Sequence, residues 1–179
     1  LVGDMYIQLK SLSANTVTTN ATNDCNWVAE RAINNVELSI GGQRVDKHYQ
    51  KWWRLYSELY LDESKKATWG KMTSPATDGT LANHVGGKMF LPLIFFFNRN
   101  PGLALPLIAL QYHEVRMDFD LSSEFSLYTD NSTFKVWANY IYLDTEERRR
   151  FAQKGHEYLI EQVQHTGSDA MAAAGSTKQ

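Results

Sequence analysis

The segment Val115–Leu121 reads VRMDFDL, and no other feature narrows the fold as sharply. Val115, Met117, Phe119 and Leu121 fall on one face of an extended strand, and Arg116, Asp118 and Asp120 on the other. A slip of one residue would bury the three charges, so the register of a strand over Gln111 to Leu121 is strongly specified. The same period of two recurs near the start, where Met5, Ile7 and Leu9 alternate with Tyr6, Gln8 and Lys10, and again from Phe134 to Leu143. Ile33 to Ile40 runs into Gly41-Gly42 and out through Gln43 to Val45. The glycine pair supplies the positive φ angles of a tight hairpin. Aromatic residues make up 12% of the chain, which with many β-branched residues suits pleated, half-buried surfaces. At 179 residues the chain is long enough for one domain. The expected class is all-β, two packed antiparallel sheets with short helices in the connections.

Between the strands the patterns change. Asp46 is placed to cap a helix on which Tyr49, Trp52, Trp53, Tyr56 and Tyr60, with Leu59, recur at spacings of three and four, a stripe suited to packing on a sheet. Leu61 to Gly87 is polar and aperiodic and reads as an exposed excursion. Lys88 to Asn98 reads as a strand built on the apolar run Met89 to Phe97, followed by a turn from Asn98 to Gly102. Ser122 to Thr133 reads as a second polar loop. Asp144 and Glu147, three apart, form an Asp variant of the capping box at the start of a short helix. Within it Glu146 and Arg150 stand in the favourable order for an ion pair, and Gly155 stops it. His156 to Gln164 reads as one more strand, and from His165 the chain becomes a Thr/Gly/Ser/Ala tail.

Little in the sequence points to chemistry. A formal net charge of -2 provides no basic field for nucleic acid, so direct binding to it is not expected. The single cysteine, Cys25, cannot form an internal disulfide and has no base beside it; the chain suits a reducing compartment. The opening LVGDMYIQLK reads as a strand and not as a targeting segment, and the apolar run Met89 to Phe97 is too short to span a bilayer. His48, His84, His113, His156 and His165 lack the spacing of a metal site. The pairs His113-Glu114 and His156-Glu157 would point to opposite faces of a strand. No catalytic residue, metal site or cofactor is expected. Arg148, Arg149 and Arg150 could meet phosphate, but following two glutamates on a short helix they read as a solvated or subunit-contacting face, with an intersubunit salt-bridge role favoured over simple solvation. Asn20 and Asn131 each open a glycosylation sequon within an expected loop.

Four stretches carry a resemblance. They are VELSIGGQRVDKHYQKWW from Val36 to Trp53, LPLIFFFNRNPGLALPLIALQYHEV from Leu91 to Val115, VWANYIYLDTEERRRFAQ from Val136 to Gln153, and HEYLIEQVQ from His156 to Gln164. In this order and spacing they resemble the major capsid protein of nucleocytoplasmic large DNA viruses. The resemblance implies the first of two consecutive jelly-roll β-sandwiches over residues 1–164, with 165–179 a linker or tail towards a second roll. It implies a structural protein without enzymatic activity, whose subunits form a homotrimer of pseudo-hexagonal outline. Its further partners would be neighbouring capsomers and minor capsid or cementing proteins, with assembly in the host cytoplasm into the icosahedral shell of the virion. Family members usually begin with a further segment ahead of the residues matching Leu1, so an unpaired sheet edge is expected where that strand would sit. The chain is accordingly expected to be a portion of a longer subunit or a short relative. An alternative of a different class is a lectin-like jelly roll, with exposed Trp and Tyr stacking on sugars; a cupin-type enzyme would need clustered histidines that the sequence does not show.

Overall fold

Alternation of apolar and polar side chains decides which segments become strands. In the computed structural model, which describes residues 1–12, 26–75, 87–123 and 125–167, the described strands are β1 (Val2–Lys10), β2 (Ile33–Ile40), β3 (Gln43–Tyr49), β4 (Lys88–Pro92), β5 (Val115–Leu121) and β6 (Lys135–Tyr140). They form two antiparallel three-stranded sheets of order β4-β1-β6 and β3-β2-β5. The chain passes repeatedly from one sheet to the other, and the sheets close on each other as a sandwich. Helices α1 (Val28–Ala32), α2 (Gln50–Leu59), α3 (Glu63–Thr73), α4 (Phe96–Arg99), α5 (Phe125–Tyr128) and α6 (Thr145–Gln153) occupy connections.

The hairpin β2–β3 forms where the glycine pair stands, with Gly41 at φ 61° and Gly42 at φ 80°. At Gly41 a Cβ would come within 2.9 Å of His113 Nδ1, so that position requires glycine for space as well as for conformation. Strand β5 pairs with β2 in the register its alternation demands, Met117 opposite Leu38 and Phe119 opposite Val36. Ile7 and Leu9 of β1, Val36 and Leu38 of β2, and Met89 and Leu91 of β4 are fully buried between the sheets, closed over by Trp53, Phe95 and Phe97.

Several expectations are corrected. Asp46 does not cap a helix: it lies within β3, buried, where its carboxylate accepts from the amides of Lys47 (2.8 Å) and Val163 (3.1 Å) and contacts His48 Nε2 (3.0 Å). Strand pairing with β2 holds the chain extended as far as Tyr49, so α2 starts three residues later than a cap at Asp46 requires. Its stripe packs inward at Trp52, Trp53 and Tyr56, while Leu59 and Tyr60 are exposed.

The stretch after Leu61 contains α3, capped by Asp62, which accepts from the Lys65 amide at 2.8 Å, and anchored by the buried Trp69. One large anchor leaves almost no periodic signal, which is why the sequence reads as an excursion; its portion 76–86 lies outside the described residues. Strand β4 ends at Pro92, which has no amide to donate, and the chain then coils into α4, with Asn98 accepting from the Phe95 amide at 3.1 Å and donating to the Gly3 carbonyl at 2.8 Å. The run from Leu93 to Phe97 is core, as its composition requires, without being strand.

In the second expected loop, α5 buries Phe125 and Tyr128. The expected strand Gln111 to Leu121 begins only at Val115, because residues 111–113 turn. Residues 155–167 form no regular strand; they run irregularly past β3, fastened by Gln162 donating to the Val45 carbonyl at 2.5 Å and by the Val163 amide on Asp46. Cys25, His84 and Asn20, and the tail beyond Gly167, lie outside the described residues.

Candidate assembly surfaces

The surface offers three regions that could meet another molecule, each built by a different element. The first is α6. Asp144 caps it by accepting from the Glu147 amide at 2.8 Å, as the sequence predicts. The helix stands almost wholly in solvent: Glu146, Glu147, Arg148, Arg149 and Arg150 are all exposed, and Phe151, against the His156 ring at 4.7 Å, is its half-buried anchor. The predicted Glu146–Arg150 pair is not closed, and none of the three arginines lies within ion-pair distance of a carboxylate among the described residues. Five consecutive exposed charged side chains with no ion-pair partner among the described residues pack poorly against the body and suit docking.

The second region is the outer face of sheet β4-β1-β6. The pairing Gln8↔Phe90 and Tyr6↔Trp137 sets their side chains on the face opposite the core. Tyr6 stacks on Trp137 with centroids 6.5 Å apart and meets Phe90 edge-on at 5.8 Å. Gln8 accepts from the Trp137 indole at 2.8 Å and fixes the ring, which is 47% exposed. Lys10 and Lys88 face each other across the ladder, and Lys135 stands opposite Gln8. All three are exposed, and none is in an ion pair among the described residues. Beside this strip a cavity of about 540 Å³ opens between the sheet and α2–α3, lined by Tyr56, Leu61, Trp69 and Met72 among others.

The third is the flank where β5 and β6, edge strands of opposite sheets, come together. Their inward side chains Val115, Met117, Phe119, Val136, Ala138 and Tyr140 line an apolar cavity of about 310 Å³, and each is partly or largely exposed. At the expected glycosylation position, Asn131 sits in an exposed turn held by Asp130, which accepts from both the amide (3.0 Å) and the hydroxyl (2.7 Å) of Ser132. Those hydrogen bonds hold the Asp130 carboxyl below the usual carboxylate range.

Residues 1–144 match the family model described as major capsid protein, N-terminus. The chain belongs to that family. It is 45% identical over 162 residues to the major capsid protein of Paramecium bursaria Chlorella virus 1, covering 85% of this chain and 37% of that protein. It is 44% identical over 156 residues to the major capsid protein of Pyramimonas orientalis virus, covering 82% and 39%. Among solved structures, a quasi-atomic model of the PBCV-1 virus capsid superposes with a TM-score of 0.75 at 40% identity, covering 92% of this chain and 40% of that one. The fold is a jelly roll, as expected. The chain thus spans well under half the length of the curated relatives it matches.

No cluster of catalytic character accompanies this capsid-family fold among the described residues. His48, His113, His156 and His165 are scattered, and no three His, Cys, Asp or Glu side chains are placed to hold a metal ion among the described residues. His48 is buried between Asp46 and the Phe95 ring, stacked at 4.4 Å; His165 lies against Tyr49 at 4.5 Å.

A buried polar knot went unread in the sequence. Glu30, 3% exposed, accepts from the Trp69 indole at 2.5 Å and lies 3.8 Å from Arg54, whose guanidinium covers the Trp27 ring at 4.0 Å. Burial raises the Glu30 carboxyl above its ordinary value; the Trp69 and Arg54 interactions oppose that shift. Its members come from three separate helices, so no local spacing announces them. The outer aromatic strip was also missed. Tyr6 and Gln8 appear in the sequence as the polar half of an alternation, and only strand pairing brings Trp137 and Phe90 beside them.

Proposed function

We propose that this chain is the first jelly-roll domain of a major capsid protein, residues 1–164, with 165–179 a linker or tail. The observation that carries the reading is the 45% identity with a chlorella virus major capsid protein over 85% of the chain. The subunit acts by shape: two packed sheets make a stiff block, and contacts repeated by symmetry hold the shell. Its partners are further copies in a homotrimeric capsomer of pseudo-hexagonal outline, neighbouring capsomers, and minor capsid or cementing proteins. It works in the virion shell of a large DNA virus, assembled in the host cytoplasm, and it carries out no catalysis. Arg148, Arg149 and Arg150 serve as subunit contacts, a role supported by their exposure on α6. Asn131 and Asn20 are candidate glycan acceptors, and the exposure of Asn131 supports access there. The lectin-like reading has no support among the relatives described above.

The test is direct. Antibodies raised against the chain should label the intact shell of purified particles of the virus that encodes it, and its peptides should be abundant in them. Absence from purified particles overturns the reading.

A further inference from the structure

Exposed charge of both signs stands in no ion pair among the described residues at two places on this molecule. On the outer face of sheet β4-β1-β6, Lys10, Lys88 and Lys135 rim the strip formed by Tyr6, Phe90 and Trp137. Two of these lysines, Lys10 and Lys88, sit directly opposite on paired strands, an arrangement that costs stability in isolation. Asp130 feels Lys10 less than it feels its bonds to Ser132. At the start of α6, Glu146 and Glu147 are exposed and stand in no ion pair among the described residues; the preceding Ile141 and Tyr142 are exposed as well, Tyr142 at 92%.

We infer that the outer strip of one copy receives the Ile141–Glu147 segment of a second copy, carboxylates over the lysine rim and Tyr142 over the aromatic strip. This rests on the capsid reading and names the contact that such a subunit would use. Charge complementarity points to a second copy, because one chain presents both halves and neither stands in an ion pair among the described residues. The aromatic strip supplies what central interface residues need: Trp and Tyr side chains, already oriented by stacking and by the Gln8–Trp137 hydrogen bond, which lose little freedom on contact. The strip and the segment are distinct patches, the segment continuing directly from β6, so the contact either pairs two copies reciprocally about a two-fold axis or repeats head-to-tail, closing into a ring if its rotation closes.

The test uses the whole 179-residue chain. Light scattering over a concentration series at low salt should show reversible association, weakened as added salt shortens the screening length. Lys10→Glu/Lys88→Glu/Lys135→Glu should weaken it about ten-fold or more, and so should Glu146→Lys/Glu147→Lys alone. Mixing the two variants should restore association, since the acidic strip of one then meets the basic segment of the other. A variant that merely misfolds cannot be rescued in this way, and circular dichroism checks each. A monomer at every concentration overturns the inference, as does association that the lysine reversal leaves unchanged or that mixing fails to restore. Either result leaves the particle-labelling experiment free to judge the capsid reading separately.

Discussion

The two flanks of this sandwich are built to opposite specifications. Where β3 meets β4, the sheets are sealed by α1 to α4: Trp53, Phe95 and Phe97 are at most 1% exposed, and His48 is wedged against Phe95. Where β5 meets β6 the cover is thinner: Val115, Met117, Phe119 and Ala138 are only partly buried, and Val136 is 40% and Tyr140 60% exposed although both point towards the opposite sheet. Apolar residues of similar kinds therefore do different work. On the closed flank they supply stability by losing water. On the open flank they have not yet lost it, and a strand or surface that covered them would gain that free energy on binding. β5 and β6 leave their outer sides without strand partners among the described residues, as β3 and β4 do on the other flank.

The comparison breaks most easily at its strongest member. Trp53→Ala should lower unfolding free energy by about 3–5 kcal/mol, whereas Val136→Ala on the open flank should cost well under about 1 kcal/mol. Urea titration of both measures the contrast, and equal losses would mean that the open flank is covered in solution. Next is the hairpin that ties β2 to β3: Gly41→Ala forces a left-handed alanine against His113 and should cost about 1–3 kcal/mol in the same assay. Asp144→Ala removes the cap of the solvent-standing α6 and should cost about 1 kcal/mol of helix stability, seen as lost helical signal with little change in the global unfolding midpoint.

The smallest effect separates the flanks by pH. Glu30, beneath the closed flank's helices, has a folded pKa raised above 4.5, so its stabilising contribution is complete below that value and is lost as pH rises through the folded one. Asp130, beside the open flank, has a folded pKa lowered below 3.8, so its contribution is present above that value and fades as pH falls. Thermal melts across pH should show Glu30→Gln gaining on the parent chain as pH rises above 4.5. Asp130→Asn should lose most of its disadvantage in acid. Parallel curves for parent and variants would remove the assigned causes.

Legibility in the sequence follows the range of the interaction. Val115–Leu121, the Gly41-Gly42 hairpin and the Asp144 cap were readable because their causes lie within a few residues: alternation, φ and a side chain reaching its third neighbour. Asp46 was misread because its local cue, an acid before an aromatic stripe, competes with partners from 117 residues further on. The segment His156 to Gln164 alternates like a strand yet is fastened by side chains. Of the assembly surfaces, α6 was visible as a charge run. The strip of Tyr6, Phe90 and Trp137 was not, since it joins three segments that only pairing aligns.

That strip has an optical consequence. Of the tryptophans, Trp53 is fully enclosed and Trp69 nearly so, while Trp137 is about half open to solvent with its indole hydrogen bond given to Gln8. Emission from Trp137 lies to the red of the enclosed pair and is the more open to a collisional quencher such as iodide. The protein thus carries a native fluorophore on the edge strand of its outer sheet face, and any molecule settling there would shift its colour and shield it, without a label being added.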